Sequence, residues 1–218
     1  MGVGAMSAPR GAAVAGIVFS ALLLTAILLL RLSVPLDPLK PDAWLQMKPA
    51  RVILALNLIP FAGIAFLWFI GVLRDRLGAF EDRFFATVFL GSGLLFLAML
   101  FVGAAALGAL ILTYGAEPQR VIGSATFDLA RGLISNIVNI YAIKMAAVFM
   151  IVTSTLALRT GFASRWIAFL GYALSLPLLF GSRFVDWGFT VFPVWVFLMS
   201  LHILVANLLR PSAVAPDK

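Results

Sequence analysis

The sequence has no cysteine and only one histidine among its 218 residues. The lack of cysteine excludes disulfide bonds, thiolate metal sites and cysteine nucleophiles. The single histidine, His202, has no partner at the spacing of a zinc motif such as H-E-x-x-H. We therefore predict no catalytic residue, no metal and no cofactor.

Charged residues are also scarce, at 11% of the chain, whereas 63% of the residues are hydrophobic. Soluble proteins have about 25% charged and about 45–50% apolar residues. The apolar residues form six long runs, and a helix needs ~20 such residues to cross ~30 Å of hydrocarbon. The predicted fold is all-α, a polytopic membrane helix bundle with six transmembrane helices in one domain over residues 1–218. The predicted spans lie near residues 11–33, 51–73, 84–114, 136–158, 164–182 and 189–209.

The net charge of +7 is carried by basic residues that flank the apolar runs. They stand singly or in pairs and form no basic stripe, so we predict no nucleic-acid partner. Basic residues in short loops mark the cytoplasmic side of a membrane. The short basic loops at 74–83 and 159–165, and with them both termini, are therefore predicted to be cytoplasmic. An excess of arginine over lysine, with abundant alanine and glycine, is typical of GC-rich bacterial genomes and indicates a bacterial inner (cell) membrane.

Local signals refine two helix ends. Asp128 and Arg131 stand three residues apart, and the segment from Ser124 is predicted to extend the fourth span outward as a helix. Gly161 is suited to a left-handed helix end, and Ser164 is predicted to cap the fifth span.

Lys144 is the only acid or base, apart from His202, well inside an apolar run. It is predicted to lie about 12 Å below the outer end of the fourth span, at ~1.5 Å per residue. A charge at that depth costs ~3 kcal/mol. Snorkelling toward the outer surface would offset this cost, and so would an outer acid. Asp186 is the nearest candidate acid by depth, and Asp128 is the second.

Several other polar residues are assigned to the same outer half of the membrane. Two of them, Asn136 and Asn139, are ~60° apart on a regular helix, and Asn136 and Lys144 are ~80° apart, so they share one broad face. One interpretation is a polar clasp whose amides hydrogen-bond between helices. The other is an outward-facing pocket for an anionic lipid headgroup or a small anion. The candidate pocket residues are Lys144, Asn57, Asn136, Asn139, Tyr141, Arg183 and Asp186.

His202 lies in the last span, near Ser200 and Asn207. No carboxylate within a span is present to orient it as a base. A packed or hydrogen-bonded histidine is therefore favoured over a catalytic or proton-carrying one. The absence of Asp and Glu from every span also disfavours a carboxylate-driven, proton-coupled transporter.

Three stretches carry a resemblance to other proteins: NLIPFAGIAFLWFIGVLRDRLGAFEDRFFATVFLGSGLLF (57–96), YAIKMAAVFM (141–150) and RTGFASRWIAFLGY (159–172). They resemble uncharacterised bacterial multi-pass membrane proteins, over spans two to five. The resemblance implies a family, but neither a known activity nor a catalytic residue.

The leading functional hypothesis is a non-catalytic membrane protein, either an accessory subunit or a lipid-contacting scaffold. Its expected partner is the lipid bilayer, together with another membrane protein or further copies of the chain. The alternative is a small transporter or a headgroup-binding protein that uses the polar pocket around Lys144.

Overall fold

The computed structural model describes residues 8–33, 49–77, 83–116, 124–181 and 188–208, and within these ranges it contains six helices and no strand. The predicted all-α bundle is confirmed. The helices are α1 (Ala8–Arg31), α2 (Pro49–Leu77), α3 (Arg83–Ala116), α4 (Ala125–Thr160), α5 (Arg165–Phe180) and α6 (Gly188–Leu208).

Five of these helices, all except α5, are long and apolar enough to cross a membrane. The fifth predicted span, 164–182, corresponds to α5, which has only 16 residues. At ~1.5 Å per residue α5 is about 24 Å long, shorter than the hydrocarbon core of ~30 Å. By the same measure α3, with 34 residues, is about 51 Å long and extends beyond the hydrocarbon.

The fourth helix is longer and less regular than the predicted span 136–158. It begins at Ala125, where the Ser124 hydroxyl accepts a hydrogen bond from the Phe127 amide at 3.2 Å. The helical extension of the fourth span predicted from Ser124 is therefore confirmed. Between its two α-helical parts, α4 passes through a π-helical segment, Ile137–Ala142, which the sequence analysis did not predict. Such segments are rare, and they occur frequently at functional sites.

The turn between α4 and α5 follows the predicted local signals in part. Gly161 has a φ of 69°, in the left-handed region, and its amide donates to the Ala157 carbonyl at 2.9 Å. Ser164 precedes α5 with an extended backbone, as a capping residue does. Its hydroxyl makes no capping bond to α5, however, because it faces His202 at 2.8 Å.

The bundle has two ends, which we call the terminal half and the distal half. The terminal half holds the start of α1 and the end of α6, where Gly16 packs against Ser200 and Phe69. The distal half holds the end of α1 and the start of α2, where Leu30 and Leu56 lie around a common space. This arrangement means that residues in the distal half come from the C-terminal parts of α1 and α3 and the N-terminal parts of α2, α4 and α6.

A cluster of phenylalanines fills the centre of the bundle. The Phe66 ring lies 4.6 Å from Phe19, 5.3 Å from Phe149 and 5.7 Å from Phe192, measured between ring centroids. The cluster joins five helices, since only α5 contributes no ring to it. The members of this phenylalanine cluster, all fully buried, are Phe19, Phe66, Phe69, Phe89, Phe96, Phe149 and Phe192.

A separate, smaller core lies farther out in the distal half. This distal cluster consists of Val52, Leu110, Ile111 and Phe127. Phe127 belongs to the outward extension of α4, so the projecting ends of α3 and α4 pack against the start of α2. Leu30, Leu56, Leu107 and Ile134 pack around this cluster.

Candidate functional site

Four of the seven candidate pocket residues lie on α4, between Asn136 and Lys144. Lys144 is half-buried, whereas Asn136, Asn139 and Tyr141 are exposed. Asn57 is also exposed, on α2, a helix that packs chiefly against α1 and α3. The remaining two, Arg183 and Asp186, lie outside the described residues.

The two asparagines on α4 make their amide hydrogen bonds within that helix. Asn136 donates to the Gly132 carbonyl at 3.0 Å, and Asn139 donates to the Ser135 hydroxyl at 3.2 Å. In the part of the chain that the structure describes, no hydrogen bond joins two of the candidate residues, and neither asparagine bonds to a neighbouring helix. The polar clasp is thus not formed by these two amide groups.

The π-helical segment also changes the relative directions of the candidate side chains. The shared face of Asn136, Asn139 and Lys144 was predicted from the spacing of a regular helix, but the chain between Asn136 and Lys144 passes through Ile137–Ala142. A π-turn bonds residue i to i+5 and so contains more residues per turn than an α-helix. The predicted angles of ~60° and ~80° therefore do not apply across this segment.

Lys144 has no hydrogen-bond or ion-pair partner among the residues for which the structure gives side chains. Asp128, one of the two acids predicted to offset its charge, lies 3.8 Å from Arg131 instead and is exposed. Side chains on a helix tilt toward its N-terminus, which for α4 is the distal end. The Cα–Cβ bond of Lys144 therefore leans toward the distal end of α4.

The distal half encloses a cavity of about 160 Å³ that the sequence analysis did not predict. Five helices contribute to this distal cavity, and nearly all of its lining is aliphatic. Small residues on α3 and α1, namely Gly103, Ala104 and Ala26, leave the space open. The other lining residues are Leu23, Ile27, Leu30, Leu56, Ile59, Leu100, Leu107, Ile134, Ser135, Val138, Asn139 and Phe189.

The hydrogen-bonded pair of Ser135 and Asn139 is the polar part of the cavity wall. Both side chains line the cavity, yet both are exposed, so the cavity reaches the surface of the bundle beside α4. Asn139 and Val138 belong to the π-helical segment, and Val138 packs close to Gly103 of α3. Of the candidate pocket residues that the structure describes, only Asn139 lines this cavity.

The only sequence signal for the cavity is weak. Small residues such as Gly103 and Ala104 in an apolar run do not indicate a void, but they allow neighbouring helices to approach closely. In the structure Gly103 does so, because an added Cβ atom would lie 2.6 Å from a Val138 methyl group. Ala104, the next residue, is also small, but the space beside it stays open and forms part of the distal cavity.

A second polar contact lies at the terminal end, between His202 of α6 and Ser164. The ring Nε2 accepts the Ser164 backbone amide at 3.3 Å and lies 2.8 Å from the Ser164 hydroxyl. The prediction of a hydrogen-bonded histidine is confirmed. The pair connects the start of α5 to α6, and Trp195 of α6 adds a second connection by donating to the Ile167 carbonyl at 3.3 Å.

Over the described residues, these observations define a multi-pass α-helical membrane protein with polar features on α4 and α6 and an apolar cavity. Among the residues that the structure describes, no three His, Cys, Asp or Glu side chains lie close enough to hold a metal ion. Comparison with known protein families, with curated proteins and with solved structures finds no match to the chain.

Proposed function

We propose that the chain is a non-catalytic, lipid-contacting protein of a bacterial inner membrane and that Lys144 binds the anionic headgroup of a lipid. The observation that carries this proposal is the placement of Lys144. It is a half-buried cation in an apolar span, and it has no acidic partner among the described side chains. A phosphate from the bilayer supplies the missing negative charge without burying a protein carboxylate.

Polar side chains lie between Lys144 and the distal end of α4. Tyr141, one turn closer to the distal end, is 59% exposed and presents a hydroxyl at the surface of the bundle. Asn136 and Asn139 present exposed amides on the same stretch of α4. An ammonium group binds a phosphate oxygen through a charge-assisted hydrogen bond, which is roughly twice as strong as a neutral one.

Replacing Lys144 by methionine is expected to reduce retention of anionic lipid about tenfold, since a hydrogen bond to a charged group contributes ~1.5–3 kcal/mol. The measurement is native mass spectrometry of protein taken from nanodiscs of mixed phosphatidylglycerol and phosphatidylcholine. Methionine is also unbranched and only one atom shorter than lysine, but it carries no charge. Retention of phosphatidylcholine should not change.

The matched control is Lys144→Arg, which keeps the positive charge and should retain phosphatidylglycerol. Equal retention by the wild type and Lys144→Met would overturn the headgroup site. Loss of both lipids from Lys144→Met, together with a lower unfolding midpoint, would show that Lys144 supports the packing of the bundle instead of binding a ligand.

We further propose the orientation predicted from the charges, with both termini in the cytoplasm. Because the chain has no cysteine, single cysteines can be placed at two exposed positions, Ala125 in the distal half and Arg165 in the terminal half. In spheroplasts a membrane-impermeant maleimide should label Ala125→Cys directly and Arg165→Cys only after permeabilisation. The reverse pattern would contradict this orientation.

One observation favours the accessory-subunit hypothesis as a second candidate. On the outward extension of α4, Phe127 packs inward, but Leu129 and Leu133 are 72% and 52% exposed. At ~1.5 Å per residue the 36 residues of α4 extend about 54 Å, so part of this apolar surface lies beyond the hydrocarbon. A co-purified protein in the same mass spectra, lost from Leu129→Ser, would support a partner at this surface.

A further inference from the structure

We infer that the distal cavity receives the end of a lipid acyl chain from the adjacent leaflet. This site is distinct from the proposed headgroup contact, because Lys144 does not line the cavity. The two sites need not bind the same lipid molecule.

The size and lining of the cavity suit a short hydrocarbon segment. Its volume of about 160 Å³ is close to that of an apolar cavity of ~150 Å³ that stays dry and binds benzene. It therefore accommodates roughly six carbon atoms, which corresponds to the end of an acyl chain rather than a whole chain. Water is disfavoured, since a buried water needs 2–4 polar partners and the wall offers chiefly Ser135 and Asn139.

The depth of the cavity places it among acyl chains. Leu56 and Ile59 line it, five and eight residues along α2 from the exposed Arg51. At ~1.5 Å per residue they lie about 8–12 Å inside the level of that charge. At this depth the surroundings of the bundle are hydrocarbon, so acyl chains are the ligands present at the highest concentration.

The distal cluster closes the cavity on the side that faces the distal ends of α3 and α4. Leu30, Leu56, Leu107 and Ile134 line the cavity and also pack around the distal cluster, which lies between the cavity and the distal ends of α3 and α4. A ligand therefore enters sideways, from the bilayer, where Ser135 and Asn139 are exposed. These two side chains satisfy one donor and one acceptor between themselves, so the opening carries little polar cost.

The chain end is held by dispersion contacts and not by the hydrophobic effect, because the bilayer outside is equally apolar. The side chains around an empty void lose contacts that a chain end restores. Specificity for chain shape should therefore be low, and the headgroup should have little influence.

The test uses phosphatidylcholine that carries a diazirine at the end of one acyl chain, in nanodiscs with the full-length protein. Irradiation followed by peptide mapping should place label on cavity residues such as Leu107 and Val138. Ala104→Phe fills the cavity and is expected to abolish this label. The matched control is Ala105→Phe, since Ala105 is exposed on the same helix, and it should be labelled like the wild type.

Ser135→Trp provides a second variant in case Ala104→Phe does not fold. It changes an exposed side chain at the opening and should also abolish the internal label. The inference would be overturned if the label in the wild type were confined to exposed residues. It would also be overturned if the internal label were unchanged in both Ala104→Phe and Ser135→Trp. Lys144→Met should leave the internal label unchanged, so failure of the headgroup site and failure of the chain site give different patterns.

Discussion

Replacing Phe66 by alanine is expected to lower the free energy of unfolding by about 2 kcal/mol. Phe66 is fully buried, and its ring lies within 4.6–6.2 Å of five other phenylalanine rings. Truncation leaves a void on the order of 100 Å³, at a cost of ~24 cal/mol per Å³. Unfolding by SDS, followed through tryptophan fluorescence, measures the change.

The membrane makes this expected loss smaller than for a soluble protein. In water a Phe→Ala change also loses the transfer of the ring from water, for a total of ~3–5 kcal/mol. Helices that separate within a bilayer remain in an apolar solvent, so mainly the packing is lost. The control is Phe61→Ala on the same helix, because Phe61 is 62% exposed and its removal should change stability by less than ~0.5 kcal/mol. Equal decreases in the free energy of unfolding for Phe66→Ala and Phe61→Ala would contradict the observed packing.

A leucine at Gly16 is expected to prevent α1 from packing in its place, with a loss of ~3 kcal/mol or more. An added Cβ atom would overlap the Ser200 hydroxyl and lie 2.9 Å from the Phe69 ring. Ser200 and Phe69 are both fully buried, so neither can move without disturbing the core. The unfolding midpoint in SDS should fall, and α1 should become accessible to proteases from the membrane surface.

Gly71→Leu is the matched control for Gly16→Leu. Gly71 is exposed on α2, and an added Cβ atom there would meet nothing within 4 Å. Both variants gain the same helix propensity, so the difference between them measures overpacking alone. Comparable unfolding midpoints for the two variants would show that α1 and α6 do not approach each other at Gly16.

The helices could be predicted from the sequence because charge sets their ends. Lipid excludes charged side chains, so the runs between charges correspond closely to the helices. The start of α4 was predicted for another reason, the favourable spacing of Asp128 and Arg131. No comparable pattern precedes the π-helical segment at Ile137–Ala142, where the local sequence is ordinary apolar helix.

The inward and outward faces could not be predicted, since core and lipid are equally apolar. Phe61 and Phe66 lie on one helix five residues apart, and only the second is buried. In a soluble protein, polarity would separate two such positions. For the same reason the distal cavity gave no clear sequence signal, because a void and a tight helix contact both use small residues.

For the candidate site, sequence reasoning identified the unusual charge but not its surroundings. Lys144 was found because a cation in an apolar run is costly, and the structure places it half-buried. The prediction that polar residues gather around it relied on regular helical spacing, which the π-helical segment breaks. Asn57, on α2, was assigned by depth alone, and depth does not determine which way a side chain points.

The 16 residues of α5 have a consequence for the membrane itself. If α5 crosses the bilayer, as predicted for the fifth span, a helix about 6 Å shorter than the hydrocarbon core creates a hydrophobic mismatch beside it. Arg165 and Trp166 are exposed at its start, and we expect the bilayer to become thinner there so that the charge stays in water. Short-chain lipids relieve that deformation at the least elastic cost, so they should collect beside α5 and surround the protein unevenly.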